Sequence, residues 1–426
     1  MKKKNKMLAL LGIVVVLCSM LLVALPATAI AAEEGDYVLG IYGNANEDDT
    51  IDMRDLTYVK LIFFGKKPET ELADAKYDGK INPLDFIQIK LIIVGKEKEL
   101  TIVDAAGRAV TLNMPIDRIA SSSMLDDIRT ICALSAADRI VGMPDVSVSL
   151  NDRALAISMS HPELLELPIT GNPYHGTPNL EVIASLEPDL VIVNFADAGA
   201  VQEATGVPTI ATPSTDLEVL AFKGFKWLKT WGYILGEQRR AEELSSYFNA
   251  KLAEVRDVTS GIPENEKPGV YLAFWGALTY TPPIYGPVEV AGGINVAEEG
   301  TPGPYGPMMW VVSKEQIIAW NPDIILLHCP GCVGSSFTID DVLSDPDLQS
   351  VSAVQNEQVY FTKGFFAGWD PATGVIECFY MGKLFHPDEF ADLGVEKEGN
   401  EILKEVYGVD GIWTAMTELC DLYRWE

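Results

Sequence analysis

Twice along this chain an amphipathic helix runs through a proline turn into an apolar strand. The first passage is Leu180 to Val193 (LEVIASLEPDLVIV), and the second is Ser313 to His328 (SKEQIIAWNPDIILLH). A short apolar run without alternation is what a parallel strand buried on both faces looks like. Between the two passages, Gly236 to Val258 carries no proline and no internal glycine. Leu244, Tyr247, Phe248, Leu252 and Val255 form an apolar stripe along it at helical spacing. The expected fold class is therefore α/β, with two Rossmann-like lobes joined by a single long helix. The boundaries read as 100–235 for the first lobe, 236–262 for the linking helix and 267–426 for the second lobe.

The rest of the large region keeps the same rhythm. Thr101 to Leu112 (TIVDAAGRAVTL) alternates around Ala106-Gly107 and reads as a hairpin. Arg118 to Ser123, Arg139 to Gly142, Gly206 to Pro213, Gly269 to Trp275 and Glu357 to Lys363 read as further strands, with a helix near Pro371 to Phe385. The N-terminus differs. Lys2, Lys3, Lys4 and Lys6 precede an apolar run from Met7 to Leu25, and small residues follow Pro26. Residues 1–32 thus read as a secretory signal peptide, with an uncleaved membrane anchor as the competing reading. The expected location is the extracellular face of the cell membrane or the periplasm. A net charge of −29 excludes nucleic acid as a partner, because phosphates would be repelled.

Residues 43–98 hold a gapless repeat of 30 residues, in which Asn44 to Lys66 aligns with Asp74 to Lys96. Each copy opens with oxygen-bearing residues at the spacing of a calcium loop, positions 1, 3, 5, 7, 9 and 12. In the first these are Asn44, Asn46, Asp48, the Thr50 carbonyl, Asp52 and Asp55. In the second they are Asp74, Asp78, the Lys80 carbonyl, Asn82 and Asp85, with Lys76 at position 3, where an ammonium cannot coordinate. The first loop is the stronger Ca2+ site. After each loop, Leu56, Val59 and Phe63, or Phe86, Ile89 and Ile93, recur at helical spacing, so two helices should pack together. The repeat resembles a dockerin, a small all-α calcium module with two EF-hand-type loops, over residues 38–98. That resemblance implies a cohesin-type partner. The positions where dockerins carry their recognition pair hold Met53 and Arg54, then Pro83 and Leu84.

From Leu100 onward the chain resembles the periplasmic-binding-protein family that serves importers of iron–siderophore, haem and cobalamin. The hairpin, the following PIDRIASSS, PNLEVIASLEPDLVIV and SKEQIIAWNPDIILL carry the likeness. It implies that the protein is the extracellular solute-binding component of an ABC importer and not an enzyme. It also implies a membrane permease as partner, docked through one acidic residue per lobe, Glu181 and Glu315. The ligand expected from the resemblance is a small-molecule metal chelate, an iron–siderophore first, with corrinoid, haem or an oxyanion such as molybdate as alternatives.

Ligands of α/β sheets sit outside the carboxyl ends of strands, which selects loop residues. Ser122, Tyr174, His175, Trp275, Tyr285, Trp310, Trp369 and Asp370 are the expected ligand-binding set, with aromatics suited to the organic shell of a chelate. Cys329 and Cys332 form a C-x-x-C pair after the second buried strand. Their spacing suits a disulfide, a metal pair or a thiolate reaching the ligand. Two competing functions follow: an exported cofactor- or metal-containing enzyme using these cysteines, or a calcium-dependent cohesin-docking surface protein.

Overall fold

The structure is a computed structural model. It describes residues 37–145, 155–194, 196–213, 225–274, 277–297, 300–303, 306–328, 338–363 and 370–425, apart from the side chains of 174 and 306–308. The signal segment, Trp275, Cys329, Cys332, Trp369 and the ring of Tyr174 lie outside the described residues.

Two four-stranded parallel sheets form the lobes. In the N-terminal lobe the strands are Ile119–Ser122, Ile140–Gly142, Leu190–Val193 and Thr209–Ala211. In the C-terminal lobe they are Gly269–Ala273, Ile294–Asn295, Ile324–His328 and Val359–Thr362. Numbered within its lobe, each sheet has the order 2-1-3-4. The strand order therefore reverses between the first and third strands in both lobes, and a ligand crevice forms at such a switch point.

The repeated helix–Pro–strand passage has the same job in each lobe. Its helix, Leu180–Ser185 or Lys314–Trp320, ends shortly before the proline. The residue before the proline, Glu187 or Asn321, takes the left-handed conformation at φ 46°. The following aspartate then reaches across to the start of the neighbouring first strand. Asp189 accepts the backbone N–H groups of Asp117 and Arg118, both at 2.9 Å. Asp323 accepts that of Gly269 at 2.8 Å. The motif thus sets the register between first and third strands.

The linking helix runs Gln238–Thr259, 22 residues, and buries Leu244, Phe248, Leu252 and Val255 as its spacing predicts, while Tyr247 stays half-buried. A second helix, Lys226–Leu235, precedes it, and Gly236 separates the two in the left-handed conformation. The pair packs so closely that a Cβ on Gly232 would lie 2.6 Å from that of Ala241.

The repeat forms two helices, Met53–Phe63 and Pro83–Ile93, each capped by a reciprocal capping box. Their buried faces carry Leu56, Val59 and Ile62, and Ile89 and Ile92. Phe63, expected inward, is exposed, because the buried stripe runs through Ile62 instead. The same apolar cluster continues through Leu39 and Ile41 into Leu100, Ile102 and Ile116 of the hairpin region. Backbone bonds join the two parts: Val103 N–H donates to Gly40 O at 2.7 Å and Tyr42 N–H to Thr101 O at 2.9 Å. The Tyr233 hydroxyl bonds both the N–H and the carbonyl of Ile51, and Lys229 pairs with Asp49 at 2.7 Å. The repeat is packed against the first lobe and its helix.

Candidate functional site

At the switch point of the first lobe the central strand ends in three hydroxyls, Ser121 to Ser123, all buried. Ser122 Oγ is buried with no hydrogen-bond partner among the described residues. It sits against Gly171, whose φ is +147°, and a Cβ there would lie 2.7 Å from Ser122 Oγ and 2.5 Å from the Thr177 carbonyl. Below this rim lies Asp127. It accepts bonds from Ser123 Oγ at 2.9 Å, Thr212 Oγ1 at 2.6 Å and Trp231 Nε1 at 3.1 Å. One carboxylate thereby fixes the ends of the first and fourth strands to the helix Lys226–Leu235. Burial pushes its carboxyl up to about 6, although the three donors work the other way.

At the switch point of the second lobe, Phe274 and His328 stack, ring centroids 4.8 Å apart and planes at 28°. His328 is buried. Beneath lies Glu377, which accepts from Tyr285 Oη at 2.9 Å, from Thr362 Oγ1 and from the Lys363 N–H at 2.9 Å. Lys363 is buried at the end of the fourth strand, and burial lowers its ammonium from the usual lysine range. Arg129, from the first lobe's helix Leu125–Ala133, lies within electrostatic reach of Lys363 and Tyr407. Asp370 caps the helix Pro371–Phe385 and accepts from Tyr407 Oη at 3.0 Å and Thr373 Oγ1 at 2.9 Å. The carboxyl-end region of the second sheet and the first helix of the other lobe are thus brought into one buried charged cluster.

The lobes are also tied at the rear. Arg240 of the linking helix donates to Ala133 O in the first lobe and pairs with Glu405 in the second at 2.9 Å. Lys251 pairs with Glu398 at 2.7 Å. With the helices Val395–Tyr407 and Ile412–Cys420 also touching Ala156–Ser160 of the first lobe, this hinge favours a small closing movement over a wide swing.

Of the residues expected from sequence, Ser122 and Asp370 lie at strand-end and helix-start positions facing this region. Tyr285 is wholly buried, its hydroxyl committed to Glu377. Trp310 is half-buried over Gly300, where a Cβ would lie 2.5 Å from the Trp310 Cβ. His175 is exposed on a 3-10 turn, Pro173–His175. Glu181 and Glu315 are both exposed, each the second residue of the equivalent helix. Neither makes an ion pair among the described residues. Sequence reasoning missed Asp127, Arg129, His328, Lys363 and Glu377 as site residues. The one available signal was position: Ser123, His328 and Lys363 end or directly follow buried strands.

In the first loop of the repeat, Asn46 Nδ2 bonds Asp48 Oδ2 at 2.7 Å, and the Arg54 guanidinium bridges Asp48 and Asp52 at 3.1 and 3.0 Å. Asp55 is buried and accepts the N–H groups of Asn46 and Asp52. Asp85 does the same with Lys76 and Asn82. Burial, with Asp48 and Asp52 nearby, pushes the Asp55 carboxyl up to about 6. The Lys76 ammonium turns out of the second loop to Glu99, 3.2 Å away. Among the described residues, no three carboxylate, imidazole or thiolate side chains converge as a ready cage. The donors of the first loop suit a hard cation because two amides and a carbonyl complete them.

A family model described as periplasmic binding protein matches residues 125–364. No curated protein matches the chain. Among solved structures, a periplasmic solute binding protein from Veillonella parvula is 21% identical, covering 75% of this chain and 96% of its own, with a TM-score of 0.59. The molybdate periplasmic binding protein MolA of Haemophilus influenzae, bound to molybdate, is 19% identical over 73% and 98%, with a TM-score of 0.60. CeuE of Helicobacter pylori, in a nickel–histidine complex, is 19% identical over 76% and 100%, with a TM-score of 0.56. At these identities the likeness is one of fold.

Proposed function

Because the chain belongs to the periplasmic binding protein family, we propose that it is the solute-binding component of an ABC importer. It captures an iron chelate or related metal complex between its lobes and delivers it to the permease. The observation that carries this reading is the shared 2-1-3-4 sheet order, which gives each lobe a switch point, with one rigid helix between them. Ser122 Oγ supplies a buried polar atom on one side, and the buried Phe274–His328 stack lies at the strand ends on the other. The metal species named for the Haemophilus and Helicobacter proteins are consistent with a metal complex as cargo. Glu181 and Glu315 offer one exposed carboxylate per lobe for arginines of the permease.

The protein works outside the cytoplasmic membrane, and among its described residues no helix is long and apolar enough to cross one. Native mass spectrometry with metal analysis of the purified protein tests the cargo. A bound metal complex, or a melting point raised by ferric siderophores, supports the reading. A protein that purifies empty and is not stabilised by any siderophore, haem, corrinoid or oxyanion defeats it.

The repeat is proposed to bind Ca2+ in its first loop, through Asn44, Asn46, Asp48, Thr50, Asp52 and Asp55. When bound, the ion would neutralise a crowded set of carboxylates. Chelation of calcium should lower the melting point of the wild type and leave Asp48→Ala unchanged. Equal melting with and without calcium would remove the ion from the account.

A further inference from the structure

The exposed face of the repeat departs from the rest of the molecule. Along Met53–Phe63 and the turn after it, the outward positions are Met53, Arg54, Thr57, Lys60, Phe63, Phe64, Lys66 and Lys67. Along Pro83–Ile93 they are Pro83, Leu84, Ile87, Lys90, Val94 and Lys96. Large apolar side chains on this face stand open to solvent: Phe64 is 74% exposed, Met53 65%, Leu84 55%, Val94 53% and Ile87 52%. Within 53–67 and 83–96 the sole acids are Asp55 and Asp85, and both are buried. Arg54 is held by Asp48 and Asp52. Among the described residues Lys60, Lys66, Lys67, Lys90 and Lys96 make no ion pair; Lys60 instead lies over the Phe86 ring of the other helix at 5.0 Å and Lys67 over Tyr58 at 5.4 Å. The Lys60–Phe86 contact joins the two helices on this side. Their opposite side packs on Leu39, Ile41 and the hairpin region.

A chain of net charge −29 thus carries no exposed acid within 53–67 and 83–96, where it exposes a row of large apolar side chains beside five ammonium groups that form no ion pair among the described residues. Self-repulsion and solubility do not require that arrangement. Apolar side chains interleaved with unpaired lysines match an anionic lipid surface, which accepts the first at the acyl boundary and the second at the headgroups. Eleven residues, 26–36, separate the apolar run Met7 to Leu25 from Tyr37.

We propose that the paired-helix face bearing Phe64, Ile87 and the five lysines lies on an anionic phospholipid surface and fixes the orientation of the first lobe above it. The proposal does not depend on which solute the lobes carry. It would be tested by labelling surface lysines of the full chain on vesicles, read peptide by peptide. Vesicles containing phosphatidylglycerol are compared with pure phosphatidylcholine, so that tethering by the N-terminal run is common to both. The expected result is labelling at least fivefold slower at Lys60, Lys66, Lys67, Lys90 and Lys96 on the anionic vesicles alone, with exposed Lys397 as the unchanged internal control. The protection should disappear at 0.5 M salt, since each lysine contributes roughly fivefold to partitioning. It should also weaken in a Phe64→Ser, Ile87→Ser variant whose melting point matches the wild type. Equal labelling on the two vesicle types overturns the proposal. So does shielding of the same lysines without vesicles as the protein concentration rises, which would mean that a second copy covers the face.

Discussion

The two lobes share a strand order but not the chemistry at the ends of their strands. Each sheet is tied to neighbouring helices by one buried carboxylate, Asp127 in the first and Glu377 in the second, and each carboxylate accepts at least three hydrogen bonds. Asp127 receives neutral donors only. Glu377 receives two hydroxyls and the N–H of Lys363, whose buried ammonium is held within its electrostatic reach. The difference teaches that topology chooses where a site forms, while a few strand-end residues decide whether it is neutral and hydroxyl-lined or charged and aromatic.

The comparison breaks most visibly at Glu377. Glu377→Ala removes the carboxylate that accepts the Tyr285 and Thr362 hydroxyls and the backbone N–H of Lys363. A loss of about 3–5 kcal/mol in urea unfolding is expected; a loss below 1 kcal/mol would mean that water or a neighbour replaces it. Asp127 should instead announce itself through pH. Its folded-state value is raised from 3.8 to about 6, so the fold favours the protonated form. Its contribution is fully present below about pH 4 and is lost as pH rises through about 6, on the order of 3 kcal/mol in all. Asp127→Asn should flatten the stability profile across that window, and an unchanged profile would place the titration elsewhere.

A sharper, smaller effect is expected at the rim. Gly171→Ala forces a Cβ against Ser122 Oγ and the Thr177 carbonyl at a positive φ. A loss of about 1–3 kcal/mol, together with weaker solute binding, should follow. Binding unaltered in a folded variant would remove Ser122 from the site. Smallest of the four, Tyr233→Phe takes the hydroxyl from the buried backbone of Ile51. A loss of about 1 kcal/mol is expected, with faster amide exchange across residues 44–55. Unchanged exchange there would show that the repeat is held by its apolar contacts alone.

The amino-acid sequence by itself determined the elements and their periodicity. The linking helix, the buried strands Leu190–Val193 and Ile324–His328, the hairpin and the helix Pro371–Phe385 were all legible, because periodicity and proline are local signals. The gapless repeat with its two loop–helix units was legible for the same reason. What only the tertiary structure decided is which residues from distant elements meet. Arg129 and Lys363 are more than two hundred positions apart, and nothing in either neighbourhood says that these two cations come within electrostatic reach of one another. Tyr285 looked like a cleft aromatic and became a core hydroxyl, because its partner Glu377 comes from another helix. Tyr233 and Lys229 read as ordinary helix residues until the repeat was packed against them. Local pattern specifies faces and ends, whereas the pairing of buried charges depends on how those faces close on one another.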